Sequence, residues 1–188
     1  MRNIIGLLAL SALPLLHGCA AVAVGGAAAT GVVVAEDRRT VGTITEDQGI
    51  EIKASNRISE KFGNAHISVT SYNRMVLLTG EVSNAAAKSE IEKIARAVEN
   101  VRAVDNEIQI AGNSALSARA NDAYLTSKVK ARFVDAQKFN AVRVKVVTEA
   151  NTVYLMGLVT RQEANDATEI ARTTGGVQRV VRLFEYLD

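Results

Sequence analysis

Very few side chains in this sequence are equipped for covalent chemistry. The single cysteine, Cys19, closes the run Leu16-His17-Gly18-Cys19. Its thiol is a nucleophile standing where an apolar stretch ends, with no core around it. One cysteine leaves no disulfide, no Cys-x-x-Cys pair and no cysteine zinc site. Of the two histidines, His17 lies in that same run, and His66 stands near the start of a strand without a second histidine or a cysteine to complete a metal site. A Ser, His and Asp set cannot be assembled without His66, and no glycine-rich phosphate loop follows a strand. The expectation is no catalytic residue, no metal and no cofactor. Carboxylates are plentiful, but Glu90, Glu92, Lys93 and Arg96 alternate in sign as a solvated helix face does.

What remains is the chemistry of binding. Leu125, Val129 and Phe133 recur at i, i+4 and i+8 and mark the buried side of a helix running from about Ser117 to Phe133. That phase rotates Tyr124, Lys128 and Ala131 onto a neighbouring, more exposed side, with Lys130 and Arg132 flanking it. An aromatic ring beside a lysine suits a membrane interface, the ring at headgroup depth and the ammonium among phosphates. The alternative for Tyr124 is a half-buried aromatic packed on the neighbouring domain.

The elements that position these residues begin with a targeting segment. Arg2 supplies a positive start, and Ile4 to Leu16 an apolar stretch, so residues 1–18 read as a signal peptide that is removed. Leu16, His17, Gly18 and Cys19 resemble the bacterial lipobox, in which a leucine sits three residues before the acceptor cysteine; His17 stands where a small residue is usual. The resemblance implies that Cys19 carries lipid. Ala20 to Ala35 is an uncharged run of Ala, Val and Gly with one Thr, short of the ~20 residues a membrane-spanning helix needs, and residues 19–42 read as a tether. Ala20 follows the acceptor where lipoproteins held at the inner membrane usually carry Asp, which favours the outer membrane and its periplasmic face.

Beyond residue 42 the chain repeats itself. Val76-Leu77-Leu78-Thr79-Gly80-Glu81-Val82 matches Val153-Tyr154-Leu155-Met156-Gly157-Leu158-Val159, so Gly80 aligns with Gly157. Ile94-Ala95-Arg96 matches Ile170-Ala171-Arg172, and upstream Asp47, Ile50 and Arg57 match Asp122, Leu125 and Arg132. Each copy, residues 43–112 and residues 113–188, reads helix, strand, strand, helix, strand. The fold class expected is α+β: two tandem αββαβ domains, each a small three-stranded mixed sheet with two helices on one face. Short hairpins should turn at Asn73-Arg74 and Ala150-Asn151, and Thr160 with Glu163 should form a capping box. Gly80 and Gly157 are read as packing positions under the second helix of each copy.

The copies differ where binding would occur. Residues 43–112 hold eight Lys or Arg against ten Asp or Glu, and residues 117–188 hold eleven against eight, so the second copy is the one drawn to anions. The first copy puts Gly49 where the second has Tyr124, with Glu46, Asp47 and Glu51 nearby. The helix-free sheet face of the first copy, with His66, Ser68, Thr79, Glu81 and Glu107, reads as solvated. The same face of the second carries Tyr154, Met156 and Leu158, an apolar patch of the kind that marks an interface. The first domain, another protein or a second copy of the chain would cover it.

Two αββαβ units with a glycine in the second strand, behind a lipobox, resemble the BON domain family. The resemblance covers essentially the whole chain, and the tandem arrangement behind an Ala/Val/Gly tether resembles that of dual-BON outer-membrane lipoproteins. It implies binding of an anionic phospholipid membrane through the first helix of the second domain, in support of envelope integrity and at the division site, and on that helix the spacing offers Tyr124, Lys128 and Ala131 as the phospholipid-binding residues. With charge nearly balanced, no nucleic-acid partner is expected. The alternative is an adaptor that docks an envelope protein through Tyr154, Met156 and Leu158. The lipid headgroup and the oligomeric state stay open.

Overall fold

The computed structural model describes residues 36–188; the signal segment, Cys19 and the tether as far as Ala35 lie outside the described residues. Helix α1 (Val41–Phe62) starts where the Thr40 hydroxyl accepts the Thr43 N–H, and its apolar stripe buries Ile50, Ala54 and Ile58. Strands β1 (His66–Tyr72) and β2 (Met75–Val82) form an antiparallel hairpin in which His66 faces Glu81. Helix α2 (Ala85–Arg96) crosses back so that β3 (Ala103–Asn106) and β4 (Gln109–Ile110) both pair parallel with β2. The expected third strand is thus broken in two, with Ile108 turned into the core at the break.

The second copy repeats the plan with α3 (Leu116–Ala136), β5 (Val144–Glu149), β6 (Thr152–Val159), α4 (Arg161–Arg172) and β7 (Arg179–Tyr186). Its sheet runs β5-β6-β7, antiparallel then parallel. The capping box forms, the Thr160 hydroxyl accepting the Glu163 N–H while the Glu163 carboxylate accepts the Thr160 N–H at 2.9 Å. Each domain has its own core between helices and sheet: Ile50, Ile58, Val76, Leu78 and Ile91 in the first, and Val129, Phe133, Val153, Leu155 and Ile170 in the second.

Both hairpins turn through two consecutive left-handed residues, Asn73-Arg74 and Ala150-Asn151, the geometry of a type I′ turn. Asn tolerates that region whereas Arg74 and Ala150 do not favour it, and the repeat compensates with a buried aspartate. Asp47 accepts the N–H groups of Asn73 and Arg74 at 2.8 and 2.7 Å, and Asp122 accepts those of Ala150 and Asn151 at 2.9 Å each. The matched aspartates therefore hold the first helix of each domain against its own hairpin.

Three expectations are corrected. A Cβ on Gly80 would lie 1.8 Å from the His66 carbonyl oxygen, and one on Gly157 2.5 Å from that of Arg143. The glycines permit close approach of the neighbouring strand and do not serve as seats for a helix. The first sheet's helix-free face is not solvated, since Thr79 and Glu81 are buried and Tyr72 and Leu77 form the apolar centre of that face. Residues 37–42, read as tether, are ordered against the domains: Arg38 bridges to Glu163 at 2.6 Å, Arg39 to Asp47 at 2.8 Å, and α1 has begun by Val41.

The physical reason for the second correction is the facing sheet. Tyr72 and Leu77 pack with Tyr154 and Met156, with Val147, Leu158, Val181 and Leu183 around them. The two helix-free faces cover each other, so the layers within Asp37–Asp188 run helices, sheet, sheet, helices.

Candidate functional site

On α3 the buried side holds Asp122, Leu125, Val129 and Phe133. Positions half a turn away carry Leu116, Ala120, Tyr124, Ala131 and Val134, all exposed, with Ser127 as the polar member. Leu116 is 79%, Tyr124 62% and Val134 62% exposed. Tyr124 is therefore not the half-buried packing residue of the alternative reading. A solvent-facing helix side normally carries charge, and this one is apolar. On α1 the equivalent outward side presents Val41 and Ile52, both exposed, among Thr45, Asn56 and Ser59, and it carries no aromatic.

Of the residues singled out from the sequence, Tyr124 and Ala131 lie on this outward stripe and Lys128 lies at its edge. The Lys128 ammonium donates to the Gly175 carbonyl at 3.0 Å and sits 5.9 Å from the Tyr124 ring centroid. It is half-buried, whereas Lys130, on the opposite edge, is exposed. Arg132 turns inward and donates to the Ile170 carbonyl at 2.8 Å and the Thr174 hydroxyl at 2.7 Å, closing the end of α4. Sequence reasoning missed Leu116, Ala120 and Val134. The signal was present: they share the phase of Tyr124 and are out of phase with Leu125.

Tyr154 and Met156 are 0% exposed, and Leu158 is half-buried with its carbonyl accepting from Arg38 at 2.9 Å. Charged pairs rim this inter-sheet layer: Lys145 with Glu51 at 2.8 Å, Arg179 with Glu107 at 3.3 Å and Arg102 with Glu185 at 3.2 Å. The Arg39 guanidinium lies 3.9 Å over the Tyr72 ring. Burial pushes the Tyr154 hydroxyl up to about 12, with the Glu107 charge acting the same way. Burial also pushes the Glu163 carboxyl up, but hydrogen bonds from Arg38, the Thr160 N–H and Arg143 outweigh it and hold that carboxyl down to about 2.

At one end of the same layer, His66, Glu81 and Glu149 converge, the His66 Nε2 lying 3.8 Å from a Glu149 oxygen. Burial, then the facing Glu81 and Asp122, raise the Glu149 carboxyl to about 7. His66 is not a lone surface histidine. Two carboxylates from distant parts of the sequence meet it in the fold.

Twin αββαβ units joined through their sheets, with one outward apolar helix face, define a tandem binding-module architecture. Residues 46–112 and 121–188 each match the BON domain, and the chain belongs to the BON domain family. It is 37% identical to the outer membrane lipoprotein DolP of Haemophilus influenzae, over 92% of this chain and 91% of that protein. It is also 29% identical to a 21 kDa hemolysin of Actinobacillus pleuropneumoniae, over 80% of this chain and 79% of that one. Osmotically-inducible protein Y of Escherichia coli is 30% identical over 74% of this chain and 72% of its own length. The chain is an outer-membrane lipoprotein of this family.

Proposed function

We propose that this lipoprotein, anchored by lipid on Cys19 and facing the periplasm, binds anionic phospholipid through the outward side of α3 and thereby supports envelope integrity, including at the division site. The observation that carries this reading is the apolar stripe of Leu116, Tyr124 and Val134, exposed and flanked by Lys128 and Lys130, with an aromatic that the equivalent side of α1 lacks. Tyr124 would sit at headgroup depth, Ala131 would let the helix lie close, and the lysines would meet phosphate. Each basic residue near an anionic surface contributes about 1 kcal/mol, so the isolated contact is weak. The lipid anchor raises its effective concentration at the membrane. The role is one of binding, without a catalytic step. The adaptor alternative loses its docking face, because Tyr154 and Met156 are covered by the first domain.

Vesicle co-sedimentation of the Asp37–Asp188 unit tests the proposal. Expected is salt-sensitive binding to anionic vesicles and none to zwitterionic ones, with Tyr124→Ala and Lys130→Glu each weakening it about fivefold or more. Equal binding to both vesicle types, or full binding by both variants, would refute it.

A further inference from the structure

We infer that His66, Glu81 and Glu149 form a divalent-cation site of the zinc class that fastens the two domains together. One ligand atom from each residue lies within 4.8 Å of the others. The residues come from β1, β2 and the last position of β5, so the first domain supplies two ligands and the second domain one. Antiparallel pairing sets His66 directly opposite Glu81, which fixes the first two without help from the second domain. Docking of the sheets then delivers Glu149, and the site exists only while the domains are together.

The charge of the cluster is a second observation beside that spacing. Glu81 and Glu149 are each 6% exposed. Buried carboxylates are ordinarily paired with Lys or Arg, or bound to metal. Among the described residues, neither forms an ion pair with a lysine or an arginine. The Arg119 charge acts on Glu149 from outside ion-pair range, its guanidinium donating to the Ser114 carbonyl at 2.8 Å and to its hydroxyl at 3.3 Å. Glu81 takes only the Ser114 N–H, at a long 3.3 Å, and Glu149 is bonded to the Thr79 side chain. Two buried acids therefore meet one imidazole with no lysine or arginine in ion-pair range among the described residues.

The donor set selects the ion. Zinc accepts imidazole nitrogen and carboxylate oxygen together, and the imidazole disfavours Mg2+ and Ca2+, which take oxygen alone. Ligands about 2.0 to 2.2 Å from a common centre require the three side chains to draw inward from their present separation, a rotamer-scale adjustment. A cavity of about 320 Å³ lined by His66, Ser68, Thr126 and Glu149 gives an entry path and room for a water as fourth ligand. The function of the ion would be structural, closing one end of the inter-sheet layer as Arg38 and Glu163 close another.

The full chain, purified in detergent and stripped with chelator, is titrated calorimetrically with ZnCl2 and separately with MgCl2, and its thermal unfolding is followed in each. Expected is one saturable Zn2+ per chain, no saturable Mg2+ binding, and a rise in Tm with Zn2+. His66→Ala and Glu149→Gln should each weaken Zn2+ binding by more than about tenfold and abolish the Tm rise. Glu81→Gln, on the rigid hairpin, keeps the test open if either of those variants fails to fold. Zn2+ binding that persists unchanged in the folded variants, or that Mg2+ reproduces, overturns the site, as does the absence of saturable binding by the wild type.

Discussion

Truncating Tyr154 to alanine tests whether the two domains form one folding unit. The ring is fully buried between the sheets, against Tyr72 and Leu77 of the first domain and Met156 of its own. An aromatic side chain buries roughly 150–250 Å², and its removal from a packed site costs about 3–5 kcal/mol. Were the domains independent, Tyr154 would lie on an open sheet face and its loss would cost less than about 1 kcal/mol. Tyr124→Ala is the internal control: the same residue type, 62% exposed, with an expected cost under about 1 kcal/mol. Urea unfolding of Asp37–Asp188, followed by circular dichroism, should give one transition for wild type. The midpoint of Tyr154→Ala should move to much lower urea, and that of Tyr124→Ala should barely move. A double-mutant cycle of Tyr154→Ala with Leu77→Ala, one residue in each domain, should be non-additive by more than about 0.5 kcal/mol. Equal costs for the two tyrosines, together with additivity in the cycle, would refute the docked arrangement.

Other outcomes follow from single contacts. Asp122→Ala strips the acceptor from two turn N–H groups and should cost about 1–3 kcal/mol in equilibrium unfolding. Asp47→Ala should cost more, because Asp47 also accepts the Ser71 hydroxyl at 2.6 Å and pairs with Arg39. Gly80→Ala, at φ +115° with a Cβ driven against the His66 carbonyl, should lose about 3 kcal/mol or more in the same measurement. The Glu163 carboxyl is held down to about 2 from its ordinary 4.5, so its contribution is full above pH 4.5 and drains away as the pH falls towards 2. That difference corresponds to about 3 kcal/mol. The acid-unfolding midpoints of wild type and Arg38→Ala, in which the paired guanidinium is gone, should differ, with the variant unfolding at higher pH.

Much of the fold was legible because helices and strands advertise themselves through local periodicity. Ile50, Ala54 and Ile58, and likewise Leu125, Val129 and Phe133, fall at helical spacing and are buried where that spacing puts them. The aligned Gly80 and Gly157 marked equivalent strands correctly, but not why glycine is needed. The obstructing atom is the carbonyl of a residue fourteen positions upstream in each case, brought near by strand pairing. The outward stripe on α3 was half read: Tyr124 stood out for its ring, while Leu116 and Val134 required carrying the same phase to both helix ends.

By itself the sequence determined the two αββαβ units, their turn positions, the capping box at Thr160 and the asymmetry between α1 and α3, all of which rest on residues close together in the chain. Only the tertiary structure decided that the polar-looking face of the first sheet meets the apolar face of the second. A sheet face in isolation carries no record of its cover, and the long charged side chains of Glu51 and Glu107 suit solvent and an ion-paired rim equally well. For the same reason no local pattern announced Arg38 reaching Glu163, or His66 and Glu81 meeting Glu149. Those groups are brought together by the docking of two domains, and the free energy for it comes from the layer of Tyr72, Leu77, Tyr154 and Met156 between them.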